Sequence, residues 1–495
     1  MSELVGHLIA GERIPESGDG DVIDVLNPAN GDVLGRVRLD ATDAADRAVA
    51  AASAAFESWA DTPVGERVQC LFRYKQILED HFEELASLIV SEHGKTMGEA
   101  RGDVRRGIDC VEYACAVPVL MMGNTLPQIA VSSSFCRSED EGGIGIDSTS
   151  ERVPLGVCVG ITPFNFPVMV PMWMWPMAVA CGNTFVLKPS EKVPLSALRE
   201  VELAHEAGFP PGVINVVTGG APVVDRLITH DDVRAVSFVG STRVARHIYS
   251  TACGAGKRAQ CMGGAKNFMV IMPDANREAA VEGVLGSAFG NTGQRCLAGS
   301  VAAPVGEAAE WFVPAIVEAA KGITVAPGDD PAVGMGPVID NAGCDRINNY
   351  VQIGLDEGAE LLLDGRKAKL PEGGCFVGPS VFDKVTPAMR LCREEIFGPV
   401  LSIYRAGTLD DAIAAINATE YGNMGVIFTS SGYNARRFKT QANAGMIGIN
   451  VGVPAPMAVF PFAGWKNSFF GDLHANGEDA LRFFTEHKIL VSRWL

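Results

Sequence analysis

VPLGVCVGITPFNFPVMVPMWMWPMAVACGNTFVL, Val153 to Leu187, contains no charged residue. Its length invites a membrane reading. Pro154, Pro163, Pro167, Pro171 and Pro176 interrupt it, however, and Asn165 and Asn183 would carry polar groups into lipid. A buried strand, loop and helix fits better. GVCVGIT (Gly156–Thr162) reads as a buried strand. PVMVPMWMWPMAVACG reads as a helix opened by proline and ending at Gly182, and TFVLKPSE as a second strand running into a loop. The alternation continues through the helix LSALREVELAHEAG and the strands VINVVTG and AVSFVGS. Repeated β–α units predict an α/β fold with parallel strands covered by helices on both faces, and ligand loops at the carboxyl ends of the strands.

A second α/β block is expected from about Asn267, with NFMVIMPDA as strand and turn and Glu278 to Phe289 helical. No Ser/Pro-rich tract, charge run or repeat separates the blocks, so interlocked domains are expected. Before them, VSSSFCRSEDEGGIGIDSTSERV reads as a projecting polar hairpin of the kind that joins subunits, and the last twenty residues could supply a matching strand.

The 495 residues suffice for two or three domains, and 47% apolar with 20% charged residues is ordinary for a globular enzyme. A formal charge of −18 argues against nucleic-acid or membrane-surface binding, since both partners are polyanions. Twelve cysteines over this length, with no CxxC and no zinc-like grouping with histidine, indicate neither a disulfide framework nor a structural metal. No signal peptide is expected at the N-terminus, so a cytoplasmic location is the default, with an organellar matrix left open.

The one GxGxx[GA] match, GAGKRA (Gly254–Ala259), follows a helix and reads as a helix-end turn. KPSE (Lys188–Glu191) and FVGST (Phe238–Thr242) are better placed for a dinucleotide. Lys188 and Glu191 could bracket a ribose, the glutamate favouring NAD over NADP, and Gly240 and Ser241 could offer amides to a pyrophosphate. Among the cysteines, Cys296 in FGNTGQRCLAG stands apart. Small neighbours leave room for a substrate, and Arg295 is expected to lower the thiol pKa toward the nucleophilic thiolate. Asn165, in the proline-fixed TPFNFP, is a candidate donor to a tetrahedral oxyanion.

TPFNFP, KPSE, FVGST, GQRC and EEIFGPV (Glu394–Val400) occur in the order and rough spacing of the NAD(P)-dependent aldehyde dehydrogenase superfamily, which the whole chain resembles. The resemblance implies a Rossmann-like NAD-binding domain in two parts (1–127 and 152–262) and an oligomerisation hairpin (128–151). It also implies a catalytic domain (263–472), a C-terminal oligomerisation segment (473–495), and a homo-oligomer, dimer or tetramer. It assigns Cys296 as nucleophile and Asn165 as oxyanion ligand. Thr162, Phe164, Lys188, Glu191, Lys192, Ser241, Gly263, Glu395 and Phe397 fall to the cofactor site, with no metal.

The departure from the pattern is QCMGGAKN (Gln260–Asn267). Hydrolytic members carry a glutamate in ELGGK, and Met262 stands at that position here. A thioether cannot accept a proton, so another acyl acceptor is implied. QxxGGAKN, GQRC and VPAPMAVFPFAGWKNSFFGDLHANG resemble the CoA-acylating malonate- and methylmalonate-semialdehyde dehydrogenases. That branch implies Arg295 and Arg106 as ligands of the substrate carboxylate, and coenzyme A as co-substrate. A hydrolytic enzyme with its base elsewhere is the alternative, and a non-catalytic relative a further one.

Overall fold

In the computed structural model, which describes residues 4–16, 20–130 and 145–493, the uncharged segment is the centre of a packed domain. Val157–Ile161 is a strand buried along its whole length, and Thr184–Lys188 is another beside it. All twelve residues of the helix between them, Met169–Ala180, are buried, which is why it shows no polar face. Asn183 serves protein rather than lipid. Its Oδ1 accepts the amides of Leu155 (2.7 Å) and Gly156 (3.1 Å), and its Nδ2 donates to the carbonyls of Ala178 and Phe484. Among the described residues no helix is long and apolar enough to cross a membrane.

Around this segment lies an eight-stranded sheet in the order Glu12–Ile14, His7–Ile9, Ile214–Val216, Thr184–Lys188, Val157–Ile161, Val233–Val239, Arg258–Met262 and Phe469–Phe470. The five strands from Ile214–Val216 to Arg258–Met262 run parallel. Their carboxyl ends release the loops that begin at Thr162, Pro189 and Gly240 on one edge of the sheet. Gly254–Ala259 is a helix end followed by a strand, as its position in the sequence indicates.

The helix Met97–Ala114 covers the Met169–Ala180 helix. It is opened by a capping box between Thr96 and Glu99. The two helices meet at Gly107, where a Cβ would lie 2.7 Å from the Met172 sulfur.

After Met262 the chain enters a seven-stranded sheet, ordered Glu360–Leu363, Ser380–Asp383, Val400–Ile403, Val301–Pro304, Phe268–Ile271, Met424–Phe428 and Met446–Ile449. The chain then returns, because Phe469–Phe470 pairs with Cys261 and Met262 in the first sheet. A linear division after residue 262 does not capture that return. A third sheet joins Asn124–Ala130, Ile146–Pro154 and the C-terminal Thr485–Arg493. The last pairs residue for residue with Ile146–Pro154 over nine positions, so the C-terminal segment does supply a strand matching the hairpin. Residues 131–144 of that hairpin lie outside the described residues.

Candidate active site

Between the two large sheets lies a cavity of about 830 Å³. Thr162, Phe164 and Asn165 line it from the first strand's loop, and Lys188 and Glu191 from the second. Ser241, Gly263 and Cys296 also line it, as do Glu395 and Phe397 from the second sheet's side. Arg106, Arg295 and Lys192 are not on its wall.

The nucleophile candidate sits on a turn that the backbone does not adopt cheaply. The helix Arg277–Phe289 stops, and Asn291 (φ 52°) and Thr292 (φ 55°) take left-handed conformations in succession. Gly293 follows at φ 68°, where a Cβ would lie 2.2 Å from the Gly398 carbonyl oxygen. Side chains from distant elements hold this turn. Glu99 accepts the Asn291 amide, and the Cys296 carbonyl accepts Nδ2 of both Asn267 and Asn423, each at 2.9 Å. Asn267 is fixed in turn, donating to the Ala298 carbonyl and accepting the Met424 amide.

Burial, and next the charge of Glu395, push the Cys296 thiol up to about 12, while its own amide, that of Leu297 and the charge of Arg106 pull the other way. The expectation that Arg295 tunes the thiol is therefore corrected. Arg295 turns its guanidinium to Glu99 (3.1 Å) and the Gly286 carbonyl, and Arg106 is the cation whose charge reaches the sulfur. Arg106 itself donates to the Pro456 carbonyl (2.9 Å). It borders a side cavity of about 190 Å³ that shares Trp173 with the main one. Asn165 is buried on the cavity wall, and its Nδ2 donates to the Gln294 carbonyl at 2.9 Å. An amide nitrogen carries two protons, so one donor remains for the cavity.

At the other end, Lys188 Nζ and Glu191 Oε2 are 3.1 Å apart. Burial raises the Glu191 carboxyl, but the charge and hydrogen bond of Lys188, its own backbone amide and the charge of Lys192 together outweigh it and hold the group below the ordinary range. Ser241 opens the helix Thr242–Gly254 without capping it by its hydroxyl. Gly240 cannot serve as expected, because its amide is spent on the Met262 carbonyl (3.1 Å). Lys192 also differs from expectation, its Nζ lying 2.5 Å from Asp340 and over the Phe164 ring. Phe397, at φ 56°, meets Phe164 edge-on with centroids 5.8 Å apart. Glu395 accepts the Ala265 amide (2.9 Å), and burial raises its carboxyl to about 7 against the pull of that amide, Lys266 and Arg346. Met262 is 2% exposed, with its thioether in the core rather than on the cavity wall.

The profile of the aldehyde dehydrogenase family matches residues 15–490. The chain belongs to the aldehyde dehydrogenase family. It is 50% identical over 493 residues to malonate-semialdehyde dehydrogenase 1 of Geobacillus thermodenitrificans, covering 99% of each chain. Malonate-semialdehyde dehydrogenase of Halalkalibacterium halodurans is 48% identical over 492 residues, again 99% of each. The crystal structure of methylmalonate-semialdehyde dehydrogenase from Oceanimonas doudoroffii superposes with a TM-score of 0.95 at 45% identity, covering 100% of this chain and 99% of that one. A Sinorhizobium meliloti relative crystallised with NAD superposes with a TM-score of 0.95 at 42% identity, with the same coverage.

The site of this aldehyde dehydrogenase suits a dinucleotide. Lys188 and Glu191 put a donor and an acceptor side by side on the cavity wall, and a helix N-terminus faces the cavity at Ser241. Gly263 and Gly264 keep side chains off the wall: a Cβ on Gly264 would stand 2.4 Å from the Glu395 carboxylate. Arg346, which sequence reasoning did not single out, also lines the cavity and donates to the Phe397 carbonyl. Asn267 and Asn423 were missed as well. GGAKN placed Asn267 in a named motif, but nothing in the sequence gave Asn423 a partner.

A half-buried thiol held at about 12 is expected to react slowly in the cofactor-free protein. Inactivation by iodoacetamide should accelerate about tenfold per pH unit from pH 6 to 9 without levelling. A plateau below about pH 8 would show a thiolate already stabilised.

Proposed function

We propose that the protein oxidises malonate semialdehyde or methylmalonate semialdehyde with NAD and transfers the resulting acyl group to coenzyme A. The observation carrying this reading is Met262, a buried thioether where a hydrolytic relative has its base. The names of the relatives support the substrate class. Thr162, Phe164, Lys188, Glu191, Ser241, Gly263, Glu395 and Phe397 would hold NAD, which supplies the acceptor for the hydride of the reacting carbon.

The chain's own groups do the rest. The Cys296 sulfur adds to the aldehyde, and the remaining Asn165 Nδ2 proton, with a backbone amide of the turn, stabilises the oxyanion that forms. Oxidation leaves an acyl thioester on Cys296. A β-carboxylate can then depart as CO2, because the thioester carbonyl accepts the electron pair as an enolate. Once the enolate has taken up a proton, the coenzyme A thiolate attacks the thioester carbonyl and expels the Cys296 thiolate. The coenzyme A thiol ionises far more readily than water and needs no strong base. Arg106, whose charge reaches the thiol, would hold the substrate carboxylate, and Arg295, paired with Glu99, would supply a second positive charge.

A second reading has one observation in its favour. Glu395, held at about 7, acts electrostatically on Cys296 and could serve as a base for water. Self-association belongs to the proposal too, since the C-terminal strand leaves Ile489, Leu490 and Val491 more than half exposed. So does a reducing compartment, cytoplasm or organellar matrix, where the free thiols of the described residues would persist.

Mixing enzyme, NAD and semialdehyde without coenzyme A should give about one equivalent of NADH per site and then a slow phase. Coenzyme A should restore turnover and yield the acyl-CoA. Sustained turnover to free acid without it would favour the Glu395 reading.

The arginines have a separate signature. Arg106→Leu should cut kcat/KM for the semialdehyde roughly ten- to a hundredfold more than for propanal. Equal losses on both aldehydes would remove Arg106 from carboxylate recognition.

A further inference from the structure

Lys95 is a lysine only 1% exposed, and its partners are unusual. Its Nζ donates to Asp103 Oδ2 at 2.9 Å and to the backbone carbonyl of Asn165 at 2.7 Å, and it lies 4.2 Å from the Phe166 ring centroid. The other oxygen of Asp103 accepts the Met169 amide at 2.7 Å. One buried ion pair thus grips the segment 165–169 at both ends, by a carbonyl at the start and an amide at the finish. Between these two grips lie the Asn165 side chain and the loop that leads into the uncharged helix.

We infer that Lys95, anchored by Asp103, is a positioning residue that sets where the Asn165 amide points. The inference rests on the reading of Asn165 as the oxyanion donor. A buried ion pair is a poor source of net stability, since desolvation offsets most of the Coulomb attraction and apolar residues of similar volume do as well or better. The pair's directional bonds end on the Asn165 loop. Among the described residues the only other side-chain bond to the Asn165 carbonyl is a long one, from Asn291 Nδ2 at 3.4 Å. Without the ammonium the loop would be free to shift by a fraction of an ångström. A donor must sit about 3 Å from the developing oxyanion, so small displacements cost rate steeply. Thiol alkylation develops no oxyanion and should not sense the shift.

The test uses Lys95→Met with Asp103→Asn in one chain, which removes both charges while leaving an oxygen to accept the Met169 amide. Three quantities are read: the urea midpoint, the iodoacetamide rate of Cys296, and the single-turnover rate of NADH formation from the semialdehyde. The expected result is a midpoint and alkylation rate close to the parent's, with NADH formation slowed about a hundredfold. A parent-like NADH rate would overturn the proposal, as would equal losses in alkylation and NADH formation, which would mean a collapsed site.

Should the double variant not fold, Asp103→Asn alone keeps the lysine but loosens its anchor. It should slow NADH formation about tenfold with alkylation unchanged, and no slowing would overturn the proposal. Asn165→Ala separates the two claims. If it retains the parent rate, the oxyanion reading itself fails. If it is slow while the Lys95 variants are not, only the positioning role fails.

Discussion

The turn from Gly290 to Cys296 is the constraint on which the catalytic arrangement depends. Two successive non-glycine residues in left-handed conformations cost of order 1–3 kcal/mol each, against which the turn itself sets two bonds, the Gln294 amide on the Asn291 carbonyl and Asn291 Nδ2 on the Gln294 carbonyl. Further compensation comes from elsewhere: the Glu99 carboxylate on the Asn291 amide, and the two asparagine amides on the Cys296 carbonyl. These partners come from the helix over the first sheet and from the residues that directly precede two strands of the second. The sulfur is therefore placed by the packing of one sheet's helices against the other sheet, and the cavity between the sheets follows from the same packing.

A half-buried thiol that ionises reluctantly is the chemical consequence. A sulfur lifted toward 12 is protected from adventitious reaction but is a weak nucleophile until its surroundings change. The charges around it are divided. Glu395 opposes the thiolate and Arg106 favours it, while Arg295 is already engaged by Glu99. A substrate carboxylate beside Arg106 would add a negative charge close to the sulfur. Binding a carboxylated aldehyde would thus alter the very balance that sets the nucleophile.

Much of this was legible in the sequence because the informative residues sit at the ends of strands. TPFNFP and KPSE each follow an apolar run, so the first parallel sheet brings Asn165 and Lys188 to one edge whatever the details of packing, while EEIFGPV leads into a strand of the second sheet and brings Glu395 from the other side. The uncharged run gave a buried strand and helix for the same reason: every face of Met169–Ala180 is covered. What could not be read was side-chain direction over long sequence separations. Arg295 adjoins Cys296 in the chain, yet its guanidinium is claimed by Glu99, 196 residues away. Lys192 is drawn off by Asp340, and the Gly240 amide by Met262. Asn423 and Lys95 have ordinary neighbours in sequence, and only the fold shows what they touch.

The account's central claim is that the acyl group waits on Cys296 for a thiol because no side chain at position 262 can activate water. Intact-protein mass spectrometry, after mixing the enzyme with NAD and malonate semialdehyde, tests it directly. The expected result is a persistent increment of one acyl group per chain, mapped to Cys296 and discharged on adding coenzyme A. Unmodified protein alongside accumulating free acid, with no coenzyme A present, would contradict it.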